Sequence, residues 1–194
     1  MKKILYLLVL FAVIPACLYL ALDRENVDID EFRLNSGYQE VKLSEGITSY
    51  KDIGDKNSKV IILVHGATFG SLAYEEYVNV FLENNYRVIT YDQYGRGYSD
   101  RVHSGVSIEL MEKQLKELIK HCEVEDVILY GVSFGAAVVA KYAANNPENI
   151  SFIGYQVPLI NSANVPLLSI VKIPLYGDLL SRGFLVPGVL KRIE

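Results

Sequence analysis

A chain of 194 residues with 51% hydrophobic and 22% charged side chains has room for one domain with a buried core plus an appendage, not for two ordinary domains. Its net charge of -4, with 23 acids against 19 bases and no Lys/Arg-rich run, supplies no positive stripe and sets nucleic acid aside as a partner. Cys17 and Cys122 give no disulfide framework, and His65, His103 and His121 lack the spacing of a zinc site, so neither a metal nor a cofactor is expected.

At the N-terminus, Lys2 and Lys3 precede an unbroken apolar run from Ile4 to Leu22, closed by Asp23-Arg24-Glu25-Asn26. As a helix this run rises about 28 Å, close to the thickness of a bilayer's hydrocarbon core. It is too long for the apolar segment of an ordinary signal peptide. The expectation is a single-pass transmembrane helix, an anchor or uncleaved signal over 1–22, with the N-terminus cytoplasmic and the rest extracytoplasmic. A secreted protein or a lipoprotein, the latter suggested by Ile14-Pro15-Ala16-Cys17, is the alternative. Residues 23–36 read as a linker.

From Val41 onward, strand-like and helix-like patterns alternate, as in an α/β protein with a mainly parallel sheet covered by helices on both faces. Val41–Leu43 and Ile47–Ile53 read as a hairpin around Ser44-Glu45-Gly46. Lys59–Val64 is a continuous β-branched strand of the kind buried on both faces. A helix capped by Ser71 is expected to run to about Asn84, with Leu72, Val78, Phe81 and Leu82 inward. Tyr86–Tyr91 is the next strand, and Ser107–Cys122 the clearest amphipathic helix, with His121 compensating the dipole at its C-terminal end. Val127–Tyr130, Phe134–Asn145 and Ile150–Tyr155 follow as strand, helix and strand. After Pro158 the alternation stops, and the tail over 161–194 looks like a lid.

Three motifs fall at strand ends. Gly131-Val132-Ser133-Phe134-Gly135 joins a strand to a helix of small residues, a turn that requires glycines on either side and lifts Ser133 over the helix N-terminus. A phosphate-binding turn is the competing reading, opposed by the low glycine count and the lack of a following lysine. His65-Gly66-Ala67-Thr68-Phe69-Gly70 follows the strand ending at Val64 and can offer a backbone N–H to a developing oxyanion, with Phe134 N–H as the second donor. His65 itself reads as a brace for this loop. Asp92-Gln93-Tyr94-Gly95-Arg96-Gly97-Tyr98-Ser99-Asp100 is a sharp turn in which Asp92 can bind backbone N–H groups.

With an HG-x loop, a D-x-x-G-x-G-x-S turn and a G-x-S-x-G elbow in this order, residues from about Gly37 to Pro158 resemble the α/β-hydrolase superfamily, specifically its esterase, lipase and peptidase-like members. The resemblance implies Ser133 as catalytic nucleophile, the Ala67 and Phe134 N–H groups as the oxyanion hole, and His65, Gly66, Gly131, Gly135 and Asp92 as structural residues beside the site. It divides the chain into a hydrolase core over 37–160 and the start of a cap over 161–194. In that family the acid and histidine of the triad follow the nucleophile, whereas no histidine occurs here beyond position 121. The expectation is therefore a chain truncated in the cap, lacking the C-terminal strands and poorly active alone. His103 is the alternative base, and Asp178 a poor candidate for the acid. The implied activity is hydrolysis of a carboxylic ester through an acyl-enzyme, with lipid or lysolipid substrates suggested by the anchor and apolar tail. The alternative is a non-catalytic, membrane-tethered remnant or binding module on the same scaffold.

Overall fold

The computed structural model describes residues 3, 6, 7, 9–22 and 28–158. Contacts separate the N-terminal residues up to Leu22 from a second unit beginning at Asp28, and each is taken by itself. The expected cap over 161–194, including Asp178, lies outside the described residues, as do residues 23–27 of the expected linker.

In the N-terminal unit, a five-residue π-helical stretch, Val9–Val13, leads into α1, the nine-residue α-helix Ile14–Leu22. A helix of nine residues rises about 14 Å, half of what a bilayer core requires. Among the described residues no helix is long and apolar enough to cross a membrane, so the expected transmembrane helix is not found there as one element.

The second unit is built on six strands: β1 (Gln39–Lys42), β2 (Ile47–Ile53), β3 (Val60–Val64), β4 (Arg87–Tyr91), β5 (Val127–Val132) and β6 (Ile150–Gln156). They lie in the order β1-β2-β4-β3-β5-β6. The β1–β2 hairpin pairs antiparallel with itself and with β4, while β4, β3, β5 and β6 are parallel. Every residue of β3 and β4 is buried, which explains the unbroken apolar run of β3, while in β4 the buried Arg87 is paired with Asp52. Alternate side chains then sort to two cores. Ile62, Val64, Ile89 and Leu129 face the helices α4 (Ile108–His121) and α5 (Phe134–Asn145), which supply Met111, Leu115, Leu118, Val138, Val139 and Tyr142. Ile61, Leu63 and Val88 face α3 (Glu75–Glu83), which contributes Val78, Phe81 and Leu82. Ser107 caps α4 by accepting from Leu110 N–H at 3.1 Å, as its position before the amphipathic run implies.

One expectation needs correction. Ser71 does not cap a continuous helix: residues Ser71–Tyr74 form a 3-10 turn before α3, Gly70 occupies the cap position, and Leu72 is exposed. The Ser71 hydroxyl is instead committed to the Asp92 carboxylate at 2.8 Å, and its backbone N–H to the same oxygen at 2.7 Å. Residues 29–34 of the expected linker form a short helix, α2 (Ile29–Leu34), capped by Asp28. Its Arg33 is buried, donating to Asp100 Oδ1 and Tyr98 O at 2.6 Å each and to Asp30 at 2.9 Å, so it fastens the glycine turn to the N-terminal flank of the sheet. On the opposite side β6 is the outermost described strand, with Phe152, Tyr155 and Val157 exposed.

Candidate active site

Where β5 ends and α5 begins, the chain turns through Ser133 with φ 52° and ψ -113°, a conformation that a residue with a β-carbon adopts only under strain. The surroundings show why glycines flank it. A Cβ on Gly135 would overlap the Val64 carbonyl and sit 2.5 Å from that of His65. One on Gly131 would lie 2.7 Å from Ala136 Cα. The Ser133 backbone is held by its own N–H on Gln156 O at 3.0 Å and by Ala136 N–H on its carbonyl at 3.1 Å. Although Ser133 stands at the N-terminus of α5, its side chain makes no capping hydrogen bond, so the hydroxyl is not consumed by the helix.

The loop after β3 packs directly on this turn: a Cβ added to Gly66 would be 3.3 Å from Ser133 Cβ and 4.0 Å from its Oγ. His65, 2% exposed, organises the loop. Its Nδ1 donates to Gly66 O at 2.6 Å, and its Nε2 accepts from Gln93 N–H at 2.9 Å. Accepting at Nε2 requires the neutral ring, and burial pushes the pKa below its ordinary value, in agreement with the bonding. In a trans peptide the C=O and N–H point in opposite directions. With Gly66 C=O turned to the imidazole, the Ala67 N–H is turned away from it. The Ala67 carbonyl in turn accepts from Arg96 Nε, so both peptides of the loop are fixed before any charge develops. Ala67 and Ser133 line a common cleft of about 280 Å³ with Thr68, Phe69, Tyr77 and Gln156. Phe134 is not among the residues lining that cleft, and with Ala67, Arg96 and Met111 it lines a smaller cavity of about 50 Å³.

Asp92 is buried and occupied with the turn. Its Oδ1 binds Ser71 and its Oδ2 accepts from Tyr98 N–H at 2.9 Å, while Gly97 lies so close that a Cβ there would overlap the carboxylate. The other histidines are elsewhere. His121 bonds through Nε2 to the Tyr50 hydroxyl at 3.0 Å, and exposed His103 is not among the residues lining the Ser133 cleft. Among the described residues, none gives the Ser133 hydroxyl a hydrogen-bonding histidine, and no three His, Cys, Asp or Glu side chains converge as a metal site. Three participants escaped sequence reasoning: Arg96 on the Ala67 carbonyl, and Tyr77 and Gln156 in the cleft. Arg96 stood within a recognised turn, but nothing in its spacing pointed at residue 67. Gln156 follows directly on the last β-like residue, Tyr155, and its partners Tyr77 and Tyr130 come from α3 and β5.

Residues 55–173 match the family described as "Serine aminopeptidase, S33". The chain belongs to this family of α/β hydrolases. Similar α/β hydrolases include an AB hydrolase superfamily protein of Bacillus subtilis, 31% identical over 107 residues, covering 55% of this chain and 39% of the relative. A bifunctional esterase/perhydrolase of Acinetobacter calcoaceticus is 28% identical over 100 residues, covering 52% of this chain and 36% of the relative. The solved structure of a bromoperoxidase from Bacillus anthracis superposes with a TM-score of 0.60 at 26% identity, covering 67% of this chain and 49% of that one. The chain thus spans less than two fifths of the length of these two curated relatives.

Proposed function

We propose that the protein is a serine hydrolase of carboxylic esters in which Ser133 Oγ attacks the ester carbonyl, forms an acyl-enzyme and expels the alcohol, water then releasing the acid. The observation that carries this reading is the turn at Ser133: a strained, uncapped serine at a strand-to-helix junction, with the Gly66–Ala67 peptide against it. The Ala67 and Phe134 N–H groups serve as oxyanion donors. The Ala67 N–H, in a peptide held by His65 through the Gly66 carbonyl, needs no reorganisation when charge develops. His65 is not the base, since both ring nitrogens are engaged. A hydrolase core over 37–160, a cap over 161–194 and membrane attachment through residues 4–22, with the core extracytoplasmic, belong to the same reading, and together they favour lipid or lysolipid esters.

The test is covalent labelling of the full chain by a fluorophosphonate. A phosphonylated serine accumulates without turnover, so the probe reports an activated hydroxyl even where ester hydrolysis is slow. Labelling at Ser133 that disappears in Ser133→Ala is the expected result. A chain that stays unlabelled across the pH range would favour the second reading, a non-catalytic tethered remnant, for which the absence of a histidine on Ser133 among the described residues speaks.

A further inference from the structure

Beside Ser133, the end of β6 carries a polar group with an unusual set of partners. Gln156 is half-buried and lines the Ser133 cleft. Its carbonyl oxygen accepts from Tyr130 OH at 2.9 Å and from Tyr77 OH at 3.4 Å. An amide oxygen has two lone pairs, so its accepting capacity is filled. The arrangement is built rather than incidental. Tyr130 on β5 pairs with Gly154 on β6, and a Cβ on Gly154 would lie 2.6 Å from the Tyr130 ring. Only the missing side chain lets that ring lie across β6 and reach Gln156, two residues further along the same face. Tyr77 arrives from α3 and is itself packed edge-on against Tyr74 at 5.7 Å.

With the oxygen fixed by two hydroxyls, the Nε2 group is oriented, and among the described residues no hydrogen bond engages it. Gln156 lines a cleft whose described walls include Phe69, Tyr74, Tyr77 and Val132 together with Thr68, Ser133 and the loop at 65–67, with no Asp, Glu, Lys or Arg among the described lining residues. A donor in a cleft without charged side chains favours an uncharged acceptor, because no cation there balances a carboxylate, and disfavours an ammonium, which can only donate.

We propose that Gln156 is a specificity-determining residue of the Ser133 cleft, donating from Nε2 to an ether, hydroxyl or carbonyl oxygen on the acyl or alcohol part of a neutral ester. It rests on the proposed ester hydrolysis for its meaning but not for its test. In the full chain carrying Ser133→Ala, the Gln156 side-chain amide resonances are followed by 15N-edited NMR, assigned by their loss in Gln156→Glu. That substitution keeps an acceptor for both tyrosines and puts a carboxylate oxygen, which cannot donate when ionised, in place of the N–H donors. Methyl methoxypropionate and methoxyethyl acetate, with oxygen on the acyl and alcohol side respectively, are compared with their carbon counterparts methyl pentanoate and butyl acetate. One oxygen ester should shift these resonances downfield and bind about 5-fold more tightly than its carbon counterpart, the value of one neutral hydrogen bond. Gln156→Glu should abolish that difference. Equal shifts with oxygen and carbon esters, or a preference that survives in Gln156→Glu, overturns the proposal. The outcome is independent of labelling at Ser133: a selective amide shift with no fluorophosphonate adduct would refute the hydrolase while leaving the binding group in place.

Discussion

The strain at Ser133 has a measurable sign. A residue with a β-carbon held at φ 52° and ψ -113° costs about 1–3 kcal/mol. Ser133→Gly removes the β-carbon and with it most of that cost, offset by about 0.5–1 kcal/mol of extra freedom in the unfolded chain. A net gain of about 1 kcal/mol is expected. Ser133→Ala keeps the β-carbon and loses no capping bond, so it should stay within about 0.5 kcal/mol of the parent. In urea, with a slope of about 2 kcal/mol per molar, the glycine variant's midpoint should rise by about 0.5 M and the alanine variant's should hardly move. An ordinary helix-capping serine gives the opposite pattern: alanine costs about 1 kcal/mol and glycine a few tenths, both below the parent. That second pattern would refute a strained elbow, and the nucleophilic reading of Ser133 with it. The expected result is also a small trade of stability for function, since the more stable glycine variant cannot be labelled.

The Tyr91 hydroxyl is fully buried and has no hydrogen-bond partner among the described residues. Tyr91→Phe should therefore be neutral or stabilising by about 1 kcal/mol in the same urea titration; a clear loss would show that the hydroxyl has a partner. His65 makes stability depend on pH. Burial lowers its folded-state pKa below the ordinary 6.5, so the unfolded chain takes up the proton first. Its contribution is complete above about pH 6.5 and declines as pH falls toward the folded-state pKa, by at most about 1.4 kcal/mol per pH unit. Urea midpoints measured down this range should fall, and His65→Gln should flatten the decline; an unchanged slope would mean another group controls it. Gly135→Ala drives a methyl into the Val64 and His65 carbonyls, so a loss of several kcal/mol, read as poor soluble yield and a lowered melting temperature, is expected. Normal stability of this variant would show that the elbow does not pack against β3 as described.

Much of the parallel half of the sheet was legible because burial on both faces leaves little choice of residue. Lys59–Val64 and Tyr86–Tyr91 could be read as strands without knowing their partners, and Ser107 before the pattern of α4 marked a true cap. The three motifs were legible for a related reason: Gly131, Gly135, Gly66 and Gly97 stand where a neighbouring backbone or carboxylate leaves little or no room for a β-carbon. What escaped depends on contacts between distant segments. Arg33 looks like an exposed charge in a linker until Asp100, far along the chain, closes on it. Ser71 has the local signature of a cap, yet the buried carboxylate of Asp92 competes for the same hydroxyl and N–H groups and splits the helix into a 3-10 turn and α3.

The same distinction separates what is generic in the site from what is particular to this chain. An elbow, a fixed loop peptide and a buried aspartate in a glycine turn can each be recognised from short motifs, and in the proposed hydrolysis none of them specifies which ester is attacked. Gln156 acquires its orientation only when α3, β5 and β6 have assembled, because Tyr77, Tyr130 and Gly154 each come from a different part of the chain. A substitution at any of these three should alter the choice of ester while leaving the Ser133 turn intact, since that turn is held by Gly131, Gly135 and the Gln156 backbone, not by its side chain.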